Sequence, residues 1–381
     1  MIRSDNAPTV VSVGENPTLL WGLSMGERTR RIARSADLPR DNWHARENGP
    51  VLLVNAAFAY DPCWLRELGR RPDTMLTLGG VPALAHVSDP VQAEKIRTAM
   101  LEGIDCEPLP LTILRYEDGP TVENKQLRKR ETPFLIALNP QTVRPIERAS
   151  YFGAYKGVTD VLTKYLWPEW ALVITRIAAR LNITPNMVTA VGAAFCLAAT
   201  ALFAFGHYWQ GMAFGLVFMV LDTVDGKLAR CTITSSWWGN VFDHGIDLIH
   251  PPFWWWFWAT GLVYWGLALD PTTFWLTQIA IQGGYVVQRM IEGLFMRRHQ
   301  MMHIHVWRRF DSWFRLITAR RNPNMVILFV ATLFGRPDIG IVAVAWWTVI
   351  SLVVHCIQLL QAEIAVRRHG PIKSWLSGDA A

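Results

Sequence analysis

Apolar positions are unevenly spread along the chain, in short runs among polar residues up to about residue 135 and in long runs from residue 186 onward. In the first part, 9–13, 51–54, 75–78 and 109–114 are apolar stretches of strand length, while 25–36, 62–71 and 91–100 repeat their apolar residues at helical spacing. Strands alternating with helices predict a soluble α/β domain on a largely parallel sheet. In the second part, 186–206 is apolar over about the length that crosses a hydrocarbon core. Five more spans are expected near 209–229, 239–268, 272–296, 315–335 and 338–364, which makes this half an all-α polytopic membrane domain with six transmembrane helices. The expected organisation is an N-terminal α/β domain (1–135), a linker with a juxtamembrane amphipathic helix (136–185), the six-helix membrane domain (186–366) and a tail (367–381).

Charge gives this domain an orientation. The connections at 207–210 and 269–272 carry no Lys or Arg and that at 335–338 has one Arg, whereas Lys227, Arg230, the Arg-rich stretch 297–321 and the tail residues Arg367, Arg368 and Lys373 fall on the other side. The positive-inside rule then places both termini in the cytoplasm of an integral protein of the cell (inner) membrane. The same arginines explain the net charge of +6 without a nucleic-acid partner. Five cysteines (63, 106, 196, 231 and 356) include no CxxC, which argues against a zinc site or a disulfide framework. Met1 to Asn6 lacks the apolar core of a signal peptide, so insertion is expected to rely on the first span. The segment 157–181, with Lys164, Arg176 and Arg180, suits either a membrane surface with anionic headgroups or a solvated connector. The tryptophans at 254, 255, 256, 258, 346 and 347 are expected at the membrane interface or packed between helices.

The chemistry is concentrated in Asp222-x-x-Asp225-Gly226-x-x-Ala229-Arg230, eight further residues, and Gly239-x-x-x-Asp243-x-x-x-Asp247. Ionised carboxylates are costly in an apolar segment, so four together mark a functional site. Residues three or four apart share a helix face, which brings Asp222 to Asp225 and Asp243 to Asp247. Four converging carboxylates repel unless cations neutralise them, and hard oxygen ligands favour Mg²⁺ or Mn²⁺ with substrate phosphate completing the shell. Gly226, Ala229 and Gly239 leave room for a ligand or a neighbouring backbone. Arg230 offers a planar fork suited to phosphate.

Every specified position of this pattern resembles the signature of the CDP-alcohol phosphotransferases. The resemblance implies six transmembrane helices, two metal ions, a CDP-linked alcohol as donor, a second alcohol (lipid or polyol) as acceptor, and release of CMP. It further implies Asp222, Asp225 and Asp243 as metal ligands, with Asp247 as a further ligand or as the base that deprotonates the acceptor. Gly226 and Ala229 would make room for cytidine, Arg230 would hold phosphate, and a homodimer is the assembly the family suggests. Pro185-Asn186-Met-Val-Thr189 is similar to the family's P-N-x-x-T start of the first span, where Asn186 and Thr189 either cap the helix or line the nucleotide site.

Asp243-His244-Gly245-Ile246-Asp247 resembles the D-H-G-x-D variant of choline and ethanolamine phosphotransferases, which makes His244 a second candidate base. That variant favours a CDP-headgroup donor. The alternative is a CDP-diacylglycerol donor with inositol phosphate or glycerol phosphate as acceptor, its phosphate bound by Arg297, Arg298, Arg308, Arg309, Arg315, Arg320 and Arg321. A transporter or a non-enzymatic membrane scaffold are the readings from other classes, and both would tolerate loss of Asp225 or Asp243. Residues 1–135, with Val51-Leu-Leu-Val-Asn-Ala-Ala-Phe-Ala-Tyr-Asp-Pro at their centre, resemble nucleotidyltransferase domains. Ala57 stands where their metal-binding Asp is expected, and Gly22-Leu-Ser-Met-Gly26-Glu-Arg-Thr-Arg is a poor phosphate loop, so the domain is expected to be structural or regulatory.

Overall fold

The computed structural model describes residues 7–41, 49–106, 109–125 and 127–377. The expectations for residues 1–6 and for the last four residues of the tail lie outside these. The chain forms two compact units, one of 1–155, 176–182 and 227–235, the other of 156–175, 183–226 and 236–381.

The first unit is α/β. Its elements are β1 (Thr9–Val13), α1 (Met25–Ser35), β2 (Val51–Asn55), β3 (Phe58–Tyr60), α2 (Pro62–Leu68), β4 (Thr74–Leu78), β5 (Val81–Val87), α3 (Pro90–Glu102), β6 (Thr112–Arg115), β7 (Val122–Asn124), β8 (Lys129–Glu131), β9 (Leu135–Ala137) and α4 (Val143–Gly153). Five strands form one sheet in the order β1-β2-β5-β4-β6. This sheet is mixed, not largely parallel: β1 with β2 and β4 with β6 run parallel, while β5 is antiparallel to both of its neighbours. The reversal comes from Gly79 and Gly80, whose φ values of +59° and +81° fit a tight hairpin turn that residues with a Cβ adopt only under strain. All five residues of β2 are buried, as its unbroken apolar run requires of a strand covered on both faces. Val11, Val13, Leu53, Met75, Ala85 and Val87 form the core with Ala93, Ile96 and Met100 of α3. Asn55, at the end of β2, is buried, and its amide donates to the Pro82 carbonyl while its oxygen accepts from the Ala57 amide.

The second unit is helical. Its elements are α5 (Val161–Tyr165), α6 (Pro168–Arg180, which ends among the residues of the first unit), α7 (Pro185–Ala204), α8 (Tyr208–Cys231), α9 (Trp237–Gly261), α10 (Pro271–Gln278), α11 (Gly284–Arg298), α12 (Arg309–Phe314), α13 (Arg321–Leu333) and α14 (Pro337–His369). Helix stands at each of the six expected span positions. Two of them, α7 and α14, are long and apolar enough to cross a membrane by length and composition. The others depart from that standard for visible reasons. α8 and α9 carry the acidic motif, the third quarter is divided into α10, a π turn (Ile279–Gly283) and α11, and α13 has 13 residues.

Packing around α9 brings the acidic segments together. Trp254, Trp255 and Trp258 are buried, Tyr208 stacks on Trp258 with centroids 4.2 Å apart, and the Trp258 indole donates to the Pro337 carbonyl, so these rings pack between helices. A Cβ at Gly261 would overlap the Phe203 carbonyl, which is why α7 and α9 approach so closely. Pro251 and Pro252 lie inside α9, and Pro252 has no N–H to bond the Leu248 carbonyl one turn back. The Tyr285 hydroxyl donates to that carbonyl at 3.0 Å, which compensates the freed acceptor one residue beyond Asp247.

Candidate active site

The site is built on two consecutive helices of the second unit. α8 presents Asp222 and Asp225 one turn apart, and α9 presents Asp243 and Asp247 one turn apart. Ligand oxygens of Asp222, Asp243 and Asp247 all lie within 4.8 Å of one another. These are hard oxygen donors in a largely apolar unit, and the triad fits a hard divalent cation. Asp222 is mostly covered, with 17% of its side chain exposed, whereas Asp247 is 45% exposed, so the cluster opens on the Asp247 side.

Asp225 shares the α8 face with Asp222 but lies outside this triad. Its side chain is 3% exposed and accepts a 2.5 Å hydrogen bond from the Thr189 hydroxyl of α7. Thr189 therefore serves the acidic site and does not cap its helix. The N-cap of α7 is Thr184, which accepts from the Met187 amide, with Pro185 as the first helical residue; Pro needs no hydrogen-bonded N–H there, which shifts the cap ahead of Asn186. Asn186 faces Gly239 instead. A Cβ on Gly239 would lie 3.0 Å from Asn186 Oδ1 and 3.1 Å from Ser236 Oγ, and Ser236 is the N-cap of α9, accepting from the Gly239 amide. Glycine at this position lets the start of α7 and the start of α9 approach.

His244 stands apart from the triad. Its side chain is 71% exposed, its Nδ1 bonds the Asn240 carbonyl at 2.9 Å, and it lies 3.7 Å from Asp243 Oδ2. The carbonyl bond requires Nδ1 to carry the proton, which leaves Nε2 as the basic nitrogen in the neutral ring. Gly226 and Ala229 lie half-buried on α8. Arg230, on the last turn of α8, belongs with the first unit, where its Nε donates to the Ala154 carbonyl at 3.1 Å. The C-terminus of this helix is held further within that unit, because Arg28 donates to the Cys231 carbonyl and Arg31 to the Thr232 carbonyl. Two cations at a helix C-terminus complement its dipole.

One residue of the site was not singled out among the arginines of the sequence. Arg321, the first residue of α13, donates from Nη2 to Asp222 Oδ2 at 2.6 Å and from Nη1 to Asp247 Oδ1 at 2.8 Å. Its guanidinium also lies 4.8 Å from the centre of the Phe218 ring. Three other arginines of this stretch engage nearby carboxylates: Arg298 pairs with Glu363, Arg308 with Asp311, and Arg320 with Glu292.

Asp222, Asp243 and Asp247, brought together from two successive helices, form a group whose oxygens could hold a hard cation. Residues 182–319 match the family model of the CDP-alcohol phosphatidyltransferases, a family of transferases. Cholinephosphotransferase 1 of Gallus gallus is 32% identical over 127 residues, which are 30% of this chain and 36% of that protein. Archaetidylinositol phosphate synthase of Pyrococcus horikoshii is 28% identical over 187 residues, 47% of this chain and 87% of that protein. Phosphatidylinositol phosphate synthase of Cutibacterium acnes is 35% identical over 82 residues, 20% of this chain and 40% of that protein. The chain thus spans about a third of the chicken relative (36%) and most of the archaeal one (87%).

Proposed function

We propose that this protein transfers a phospho-alcohol group from a CDP-linked alcohol to an acceptor hydroxyl, releasing CMP, in the synthesis of a phospholipid or a related lipid or polyol phosphate. The observation that carries this reading is the convergence of Asp222, Asp243 and Asp247 from two successive helices. Asp222, Asp243 and Asp247, with Asp225 behind them, would hold Mg²⁺ or Mn²⁺, two ions by the family pattern, and such ions when bound neutralise diphosphate charge and make CMP a better leaving group.

The rest of the chemistry falls to the chain. Asp247, the most exposed carboxylate of the triad at 45%, takes the proton of the acceptor hydroxyl as that oxygen attacks the β-phosphorus. His244 lies outside the group of converging ligand atoms and has no direct part in this step. Asn186 and Gly239 bound the nucleotide side where the two helix starts approach, and Thr189 fixes the orientation of Asp225. Gly226 leaves room for the donor beside Asp225, as the family signature implies. No covalent intermediate on the protein is needed, and positioning with electrostatic stabilisation supplies most of the catalysis.

The D-H-G-x-D variant at 243–247 favours a CDP-headgroup donor and a lipid alcohol. The alternative reading, CDP-diacylglycerol with a phosphorylated polyol, is favoured by the extent of the match to the archaeal synthase, which covers 87% of that protein. Six membrane spans, cytoplasmic termini, a cell-membrane location and a homodimer belong to the same proposal, as does a non-catalytic first unit: at the end of β2 the Asn55 amide is engaged by the Pro82 carbonyl and its oxygen by the Ala57 amide. The test is CMP release by the full chain in liposomes with Mg²⁺ or Mn²⁺, offering CDP-choline, CDP-ethanolamine or CDP-diacylglycerol with matched acceptors, beside Asp243→Asn. Metal-dependent CMP that disappears in the variant supports the reaction and names the donor. Activity retained by the variant overturns it.

A further inference from the structure

We propose that Arg321 is the resident counter-cation of the acidic cluster, a positioning residue that holds Asp222 and Asp247 together and competes with a divalent ion for their charge. The inference rests on the reading of that cluster as a divalent-cation site.

The placement of Arg321 is unusual for a cation. It is the first residue of α13 and follows Arg320, so it sits at the positive end of a helix dipole, where acidic residues are the favoured ones. Its side chain is 11% exposed, which removes most of the water that would otherwise offset that repulsion. The compensation comes from carboxylates on two other helices, through the 2.6 Å bond to Asp222 of α8 and the 2.8 Å bond to Asp247 of α9. Its Nε is used as well, donating to Asn322 Oδ1 at 3.0 Å, so the fork is oriented along its whole edge. The Phe218 face at 4.8 Å fixes the plane of the guanidinium from below.

Two consequences follow from charge. With its metal removed, the chain would bring four carboxylates into one apolar region with strong mutual repulsion, and Arg321 relieves it. When a divalent ion approaches, the same guanidinium repels it and holds oxygens of two prospective ligands. Arg321 therefore stabilises the metal-free cluster and weakens metal binding. A residue that merely braced the carboxylates would have the opposite effect, because its loss would scatter the ligands and lower affinity.

The sign of the change separates these roles. Mn²⁺ binding is measured by the loss of its free-ion electron paramagnetic resonance signal, with the full chain in lipid nanodiscs and no nucleotide present, for the wild type, Arg321→Gln, Arg321→Lys and Asp243→Asn. Thermal unfolding of each is followed in EDTA and in saturating Mn²⁺. Arg321→Gln is expected to bind Mn²⁺ at least roughly tenfold more tightly than wild type, the removal of one like charge within the site. It should also unfold at a lower temperature than wild type in EDTA and recover in Mn²⁺. Arg321→Lys, which keeps the charge and loses the two-armed bridge, should tighten binding by a smaller factor, and it carries the test alone if the Gln variant does not fold. Unchanged or weaker binding in these variants, with Asp243→Asn still abolishing it in the wild-type background, overturns the role of Arg321 and leaves the metal site standing. Wild-type binding that is absent, or indifferent to Asp243→Asn, overturns both.

Discussion

Among the described residues, two groups of potential metal ligands lie in the helical unit, and they differ in kind. Asp222, Asp243 and Asp247 come from consecutive helices, while Glu292, His305 and His355 are brought together from α11, the connection after it and α14. By donor atoms alone the Glu292 group is the better transition-metal site. Its single carboxylate, however, is fully engaged: Arg289 donates to Glu292 Oε1 at 2.8 Å and Arg320 to both carboxylate oxygens at 2.7 Å. His305 lies 3.4 Å and His355 3.5 Å from the same Oε1. Burial drives the pKa of His305 well below its ordinary value, with the Arg320 charge adding to that effect against the pull of Glu292, so this ring is neutral. One carboxylate facing two guanidiniums has no charge left for a divalent cation. At the other group three carboxylates converge and the guanidinium of Arg321 bonds two of them, so negative charge is left in excess. The ratio of carboxylates to fixed cations, more than the number of ligand atoms, decides which cluster is a site.

The sharpest way to break this comparison is to remove one carboxylate from each. Asp243→Asn should reduce CMP release by about three orders of magnitude, since transition-state charge would lose its stabilising cation. Unfolding temperature should not fall, because the substitution also removes repulsion. Glu292→Gln should do the reverse. It leaves the Arg289 and Arg320 charges without their partner in a covered site, which costs about 3–5 kcal/mol of stability in comparable cases, while Mn²⁺ affinity stays at the wild-type value. If a thermal melt shows Glu292→Gln as stable as wild type, or if metal analysis finds an ion lost with it, the two clusters are of the same kind after all.

How far the sequence announces this arrangement depends on how local the determinants are. The acidic motif is legible because its spacing is that of one helix face, and the four principal strands are legible because continuous apolar runs mark them. β5 is missed although Val81–Val87 is as apolar as its neighbours: the Gly79-Gly80 turn converts two adjacent runs into a hairpin, and a parallel reading leaves no place for the second of them. Arg321 is read only as one of seven arginines suited to an acceptor phosphate, and its tie to the carboxylates is missed for a different reason. Its partner Asp222 is 99 residues away, and in sequence it is one of several arginines that orientation alone explains. A cation at the first position of a helix is the signal that sets it apart, because the dipole opposes it and only a specific acidic partner makes it tolerable.

The next prediction sharpens the boundary of the acidic cluster. Asp225 shares a face with Asp222 yet is turned toward α7 by Thr189, whose hydroxyl is the donor in a 2.5 Å bond. Thr189→Val keeps the shape and removes that donor, and hydrogen bonds to charged groups contribute about 1.5–3 kcal/mol. The expected result is a fall in kcat of roughly tenfold with rescue by Thr189→Ser, which restores the hydroxyl. A fall in expression or melting temperature that Ser does not rescue would make Thr189 a packing residue only.

The smallest effect is expected at the residue that sequence resemblance makes most tempting. His244 precedes a glycine inside the motif, and its Nε2 has the lone pair a general base requires, yet its side chain is 71% exposed and lies outside the converging group. Asp247 is the competing base, and one of its oxygens is already held by Arg321, which fixes its aim. If Asp247 takes the proton, His244→Gln should leave kcat within about threefold of wild type, far from the factor of 10²–10⁴ that a general base contributes. Asp247→Asn should lose that larger factor at every pH. The pH profile of kcat separates the two assignments, because a histidine base would impose an ascending limb that disappears in His244→Gln. Retention of the same limb in that variant assigns the proton transfer to the carboxylate and confines His244 to the rim of the site.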